Sequence, residues 1–423
     1  MDATFAQVKP PENTDPEGEV MIVPRPALTA VVAVGTLVLA AVPALAASAP
    51  VTTAPLGTAP LAMAPLATAP LATAPLGTAG HHPEPPPLVV AEGLNNPRGL
   101  AFGDDGTLYV AESGKGGAGP CQAGPEGGEV CFGRSASITR IRYGHQKRIV
   151  TGLPSLASRT GAEAIGATDV GVSRWGTVSF TVGLGADPGL RTKVRQLAGM
   201  AKLYELGRRG PRPVADLGAY ERKANPDRLT PPDTNPYGLA VSGRSRHVVD
   251  AGGNTLLRVS SHGRISTVAV FPRRTVPAPA GIPDLPAGTP VPMQAVPTSA
   301  VRGPDGAWYV GELTGFPFPP GQARIYRVVP GHRPTVYATG LTNVIDLAFG
   351  PHGRLYALEI ARDGLLSGSE TGALVRVGRH GGHKVVASAG LRAPGGVAVR
   401  GRHAYVTNCS VCAGTGTVVK IRL

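Results

Sequence analysis

Residues 96–112 read NPRGLAFGDDGTLYVAE, and the same grammar returns five more times along the chain. A strand of small and apolar residues runs into a short glycine turn, and a second strand follows that ends on a polar group. The other copies are ATDVGVSRWGTVSFTVG at 167–183, NPYGLAVSGRSRHVVD at 235–250, PTSAVRGPDGAWYVGE at 297–312, NVIDLAFGPHGRLYALE at 343–359 and APGGVAVRGRHAYVTN at 393–408. Each of the first five is followed by two more alternating stretches, as in SITRIRY then RIVTGL, or ARIYRVV then TVYATGL. Four alternating strands per unit, joined by tight turns, make one propeller blade. Units of this length cannot bury their own apolar faces and must stack on one another. The sequence therefore predicts an all-β chain, a six-bladed β-propeller.

The sixth copy ends at TVVKIRL, 417–423, without a fourth strand of its own, while LVVA at 88–91 stands unused before the first copy. The N-terminal strand is expected to close the last blade and so leave no free edge in the ring. With 58 Gly, 43 Pro and 5% aromatics, the composition suits many short strands and turns.

Ahead of the propeller lie two segments of different character. Residues 1–46 are expected to be a leader. Within it an apolar run at 27–42 is preceded by Arg25 and followed by the small-residue site Ala44-Leu45-Ala46, the pattern of a secretory signal peptide. The twenty residues before Met21 carry one Lys against five acids, the wrong sign for such a leader, so Met21 is read as the natural start. The run is too short for a membrane span of about 20 residues, and membrane contact is expected only through an uncleaved leader. Residues 47–86 form a Pro/Ala/Leu/Thr linker, with APLGT-type pentads repeated five times between Ala54 and Thr78. Proline every fifth residue and no charge make it an extended spacer. The propeller itself is placed at 87–423, and the mature chain is expected to be secreted or held in the extracytoplasmic cell envelope.

Without residues 1–46 the chain keeps 39 basic groups against 23 acidic ones, net +16. That balance favours anionic company, which outside a cell means envelope polymers, acidic glycans or lipid head groups rather than nucleic acid. The expected partner is an unknown ligand or envelope polymer, and the chain is expected to be a monomer.

Long insertions fall at 113–135, 184–199, 216–233, 271–296, 313–322 and 360–371, always after a second or a fourth strand. Because strands alternate in direction, these connections emerge on one face of the disc, and a face that receives the extra chain is presenting itself to something. The second strands end there on Glu112, Gly183, Asp250, Glu312, Glu359 and Asn408. Glu112, Asp250, Glu312 and Glu359 are ligand-binding candidates, set against the structural reading that each accepts backbone hydrogen bonds from the loop it opens. Arg98, Asp169 and Asp346, at the start of first strands beside the central channel, are ligand-binding candidates as well. The two Asp replace Gly or Ser of the other copies, so turn chemistry does not require them. The ten His lie mostly in turns and the linker, and only HGGH at 380–383 has even a loose ligand spacing. No catalytic residue is identified, no metal or cofactor is expected, and no Gly-x-Ser-x-Gly elbow or phosphate loop occurs.

Four Cys form two local pairs, Cys121 with Cys131 and Cys409 with Cys412. In an exported chain disulfides are the default. Four Cys allow three pairings, and since blades 1 and 6 are neighbours in a closed ring, cross-blade pairing or a zinc site on four thiolates is the alternative.

The chain resembles the ScyD/ScyE family, exported propellers named for their place in the gene cluster of the pigment scytonemin. The resemblance rests on LNNPRGLAFGDDGTLYVAESG, the Cys-bearing glycine-rich stretch leading to SITRI, the worn copy with ATDVGVS, and the closing YVTNCS to TGTVVKI. It covers about residues 88–423, while any single copy matches NHL-type propellers generally. It implies the fold and export and supplies no catalytic residues. The copies are also similar to the gluconolactonase type of propeller, in which Glu, Asn and Asp in the channel hold a divalent cation. Here those positions are Arg98, Thr168, Tyr237, Thr298, Ile345 and Gly395, with no carboxylate or amide among them. Two functions follow: a binding or scaffold module using its long-loop face, and, as the alternative, an enzyme acting on a small secondary metabolite at the channel mouth.

Overall fold

The computed structural model describes residues 87–423 apart from 125–127, 283 and 379–381. The expected leader and spacer lie outside the described residues. Six antiparallel sheets are arranged as six blades. Their innermost strands are Pro97–Phe102, Ala167–Val172, Pro236–Ser242, Pro297–Arg302, Val344–Phe349 and Gly396–Arg400. Each inner strand packs against the next, and the last packs against the first, so the ring is closed. The sixth sheet takes its outermost strand from the other end of the chain. Leu88–Leu94 runs antiparallel to Gly416–Arg422, with Leu88 opposite Lys420 and Leu94 opposite Gly416.

The core is a set of six slabs rather than one ball. Every blade is apolar on both faces, and one slab fills each gap between neighbours. Ile138 meets Phe180 between blades 1 and 2, Leu203 meets Leu257 between 2 and 3, and Val249 meets Trp308 between 3 and 4. Ile325 meets Leu347 between 4 and 5, Leu374 meets Val397 between 5 and 6, and Val418 meets Val110 between 6 and 1. Side-chain size follows the wedge shape. Near the axis the strands converge, and glycine stands where they come closest. A Cβ on Gly99 would lie 1.9 Å from Asp169 Oδ1, and one on Gly238 would lie 2.4 Å from the Thr298 carbonyl oxygen.

Turn chemistry matches the motif. In GDDG the Asp105 carboxylate accepts the Thr107 N–H at 3.0 Å and the Thr107 hydroxyl at 2.9 Å, and Gly106 takes φ +83°. Asp305 repeats the first bond with the Ala307 N–H, at 3.2 Å.

The long connections are more ordered than bare loops. The first insertion, expected over 113–135, already becomes strand at Glu129, because Glu129–Arg142 extends past its blade and pairs with the short strand Cys121–Ala123. The segment after blade 2 holds a helix, Leu217–Ala224, whose N-cap Asp216 accepts the Ala219 N–H at 2.8 Å. The segment after blade 3 holds a two-stranded hairpin, Arg274–Pro277 with Pro290–Met293. Among the described residues no helix is long and apolar enough to cross a membrane.

Candidate functional site

The inner strands leave a cavity on the axis, lined by Asp169, Asp346, Tyr237 and the glycines 99, 238 and 395. Its volume is ≈ 10 Å³, room for about one water. Asp169 and Asp346 both reach it, yet their oxygens are engaged. Asp169 accepts the Val170 N–H at 2.7 Å and, across the blade boundary, the Leu239 N–H at 2.6 Å. Asp346 Oδ1 accepts the Ser299 hydroxyl at 2.6 Å and the Leu347 N–H at 2.8 Å, while Oδ2 accepts the Val397 N–H of blade 6 at 2.7 Å. Each carboxylate thus ties neighbouring inner strands together. Burial pushes Asp346 up to about 6, and burial followed by the nearby Asp346 charge holds Asp169 well above the ordinary range.

Arg98, which is buried, turns aside from the half-buried pair. Its guanidinium donates to the Ala164 carbonyl at 3.2 Å and to the Tyr237 hydroxyl at 3.5 Å. The three groups are therefore neighbours without forming an ion pair. Threonine hydroxyls add further ties at the axis: Thr168 to the Pro236 carbonyl, Thr298 to that of Val344 and Thr407 to that of Arg98, at 2.7, 2.8 and 2.7 Å.

On the long-loop face the strand-end acids share one geometry. Glu112 accepts the Asn95 N–H at 2.8 Å, Asp250 that of Asn235 at 2.7 Å and Glu359 that of Thr342 at 2.8 Å. In each case the donor precedes the inner strand of the same blade, so the acid fastens the entry of strand one to the exit of strand two. Asn408 does the same for Arg392 at 2.7 Å. Glu112 is held further by Ser137, Thr139 and a bidentate Arg148. Glu312 departs from the pattern. Its Oε1 accepts from Arg274 of the inserted hairpin, which also donates to the Gln322 carbonyl at 2.9 Å. Burial pushes Glu312 and Glu359 up to about 7, in the former against the opposing pull of Arg274.

The motif asparagines, quoted in the sequence only as part of the repeat, carry ties of their own. Asn96, at φ +49°, donates to the Gly114 and Gly161 carbonyls at 2.7 and 2.8 Å. Asn343, at φ +44°, donates to the Leu313 carbonyl of the preceding blade at 2.9 Å. Their signal was the recurrence of Asn before the inner strand, where left-handed backbone favours it.

Both disulfides are local. Cys121 and Cys131 are directly opposite across a ladder, and Cys409 and Cys412 span one turn. All four thiols are consumed, so no four-thiolate zinc site forms. The CSVC turn sits at the seam of the ring, where the Asn96 N–H donates to the Cys412 carbonyl at 2.7 Å. Of the HGGH stretch, His380 lies outside the described residues, and His383 Nε2 bonds the Thr339 carbonyl at 2.7 Å.

No protein-family model and no curated protein matches the chain in sequence. Solved structures match in fold. Virginiamycin B lyase from Staphylococcus aureus is 14% identical over 77% of this chain and 95% of its own, with TM-score 0.41. The PQQ-bound aldose sugar dehydrogenase of Streptomyces coelicolor is 13% identical over 79% and 96%, with TM-score 0.46. A chain of a nidogen–laminin complex is 14% identical over 66% and 84%, with TM-score 0.40. At these identities no activity transfers.

Proposed function

We propose that this chain is an exported binding propeller of the cell envelope, of the ScyD/ScyE kind, which holds an anionic polymer or ligand on its long-loop face. The observation that carries this reading is a contrast between the axis and that face. The axial cavity admits about one water, far below the roughly 300 Å³ of a small-molecule pocket, and the polar groups around it are used up in joining blades. The long connections, by contrast, emerge together on one face and carry a helix, two hairpins and both disulfides. Two disulfides accord with an extracellular location, and the net +16 charge of residues 47–423 accords with an anionic partner.

Cosedimentation with purified anionic wall polymers tests the proposal. Replacing 278–289, the tip of the hairpin after blade 3, by a two-residue turn should weaken retention, and Asp346→Asn should not. The reverse outcome would move function to the channel and to a small-molecule substrate.

A further inference from the structure

After blade 2 the chain forms the helix Leu217–Ala224 and a loop, and this connection packs on the turn Ala251-Gly252-Gly253 that follows the second strand of blade 3. Four carboxylates gather there: Glu221 from the helix, Asp227 and Asp233 from the loop, and Asp250 from the strand end. Glu221 is 0% exposed, and neither of its carboxylate oxygens has a hydrogen-bond partner. Asp233 Oδ1 is buried without a partner as well.

The two glycines of the turn keep a hollow between these groups. A Cβ on Gly253 would lie 2.8 Å from Glu221 Oε2 and 3.5 Å from Asp250 Cγ, and one on Gly252 would lie 3.0 Å from Asp233 Cγ. Asp250 is held by the Asn235 and Gly253 N–H groups and the Thr234 hydroxyl, and Asp227 by the Leu229 N–H and the Asn254 amide. Among the described residues, no Lys, Arg or His forms an ion pair with any of the four.

A buried carboxylate with neither donor nor counter-charge is strongly unfavourable. Burial, then the charges of Asp250, Asp227 and Asp233, push Glu221 up to about 9, and burial with Asp250 pushes Asp233 to about 7. One proton cancels one charge of the four. A divalent ion cancels two and gives both orphaned groups a partner.

We propose that this hollow is a calcium-class divalent cation site, with Glu221 and Asp233 as ligands and Asp227 and Asp250 completing the negative shell. The donors are all hard oxygens, which excludes the thiolate- and imidazole-seeking metals. No three of these oxygens lie within 4.8 Å of one another, a spacing wider than a closed coordination shell. The ligands must close inward on binding, a latitude that calcium tolerates and octahedral magnesium does not. Bound there, the ion pins the helix of one blade to the turn of the next on the long-loop face, whether or not that face binds a polymer.

Full-length chain stripped with EDTA and titrated with calcium chloride in a calorimeter tests the site. One ion per chain is expected, with a dissociation constant at or below about 1 mM, and a melting temperature higher in calcium than in EDTA. Glu221→Gln should weaken binding at least tenfold, yet melt no lower than wild type in EDTA, since the group it replaces has no hydrogen-bond partner to lose. If that variant does not fold, Asp233→Asn carries the same tenfold expectation. A wild-type chain that neither binds calcium nor melts differently in it overturns the proposal, as does a folded variant that binds like wild type.

Discussion

Glu112, Asp250, Glu359 and Asn408 occupy one position of the repeat and make one bond, to a backbone N–H that precedes the inner strand. Asp169 and Asp346 extend the same use of side-chain oxygens across blade boundaries. Glu112, Asp250 and Glu359 are buried and Asp169, Asp346 and Asn408 half-buried, and removal from water has a pH signature. Asp346 has its folded pKa raised from 3.8 to about 6, so the folded chain binds that proton more tightly than the unfolded chain. Its contribution to stability is fully present below pH 3.8 and is lost as pH rises through about 6. His247, buried against Trp308 with ring centroids 4.1 Å apart, runs the other way. Its pKa falls from 6.5 to about 4, so its contribution is present above 6.5 and lost as pH falls through 4. The two slopes oppose in one window, and a variant separates them. Asp346→Asn should cost more stability at pH 4.5 than at pH 7.5, by on the order of 2 kcal/mol, measured by thermal melts of variant and wild type at both values. An equal cost at both would show that the carboxyl does not titrate there.

Among the elements, the hairpin Cys121–Ala123 with the start of Glu129–Arg142 is the one whose order depends most on a crosslink, since it lies beyond the blade's own four-strand ladder. A disulfide closing a loop of this size contributes about 2–3 kcal/mol in the chain-entropy model. Because the hairpin can open without disturbing the ring, that loss should appear locally. Replacing Cys121 and Cys131 by Ser should speed limited proteolysis between them by tenfold or more and lower the melting temperature by only a few degrees. A large global loss would mean that the hairpin is part of the ring's cooperative unit. The same element shows where sequence reading stops. The six strand pairs were legible because alternation and glycine turns are local, and the inward Asp residues were legible because they replace Gly and Ser of sister copies. The partners were not. Arg148 reaches Glu112 from 36 residues away and Arg274 reaches Glu312 from 38, separations that carry no local period. The helix at 217–224 and the hairpin at 274–293 were hidden for a related reason. The helix is short and half polar, the hairpin is rich in proline, and each takes its order from the blade beneath it, as Leu217 does by joining the slab between blades 2 and 3.

At the scale of the whole ring, the described residues form no central core, so each blade depends on both neighbours and the ring is as secure as its seam. Between blades 6 and 1 the seam is made by the strand Leu88–Leu94, which precedes the first blade. Leu94 is fully buried in the slab with Leu100, Leu108, Val110 and Val418, and Ala91 joins it. The same strand reaches the outermost strand of blade 1. Gln146 exchanges hydrogen bonds with the Glu92 backbone at 2.9 and 3.2 Å, and Arg148 donates to the Gly93 carbonyl at 3.0 Å. Removing Leu88–Leu94 therefore takes away one wall of a slab, leaves Gly416–Arg422 as an exposed edge, and strips Arg148 of one acceptor. Burying Leu94 and Ala91 alone stabilises by about 3 kcal/mol, and an unpaired edge invites pairing between molecules. A chain shortened to begin at residue 86 should melt like the full-length chain and show no aggregation by light scattering. One beginning at residue 95 should melt at least ten degrees lower or aggregate. Equal behaviour of the two would mean that the ring holds without its closing strand, and that the slab between blades 6 and 1 is stabilised by its other walls alone.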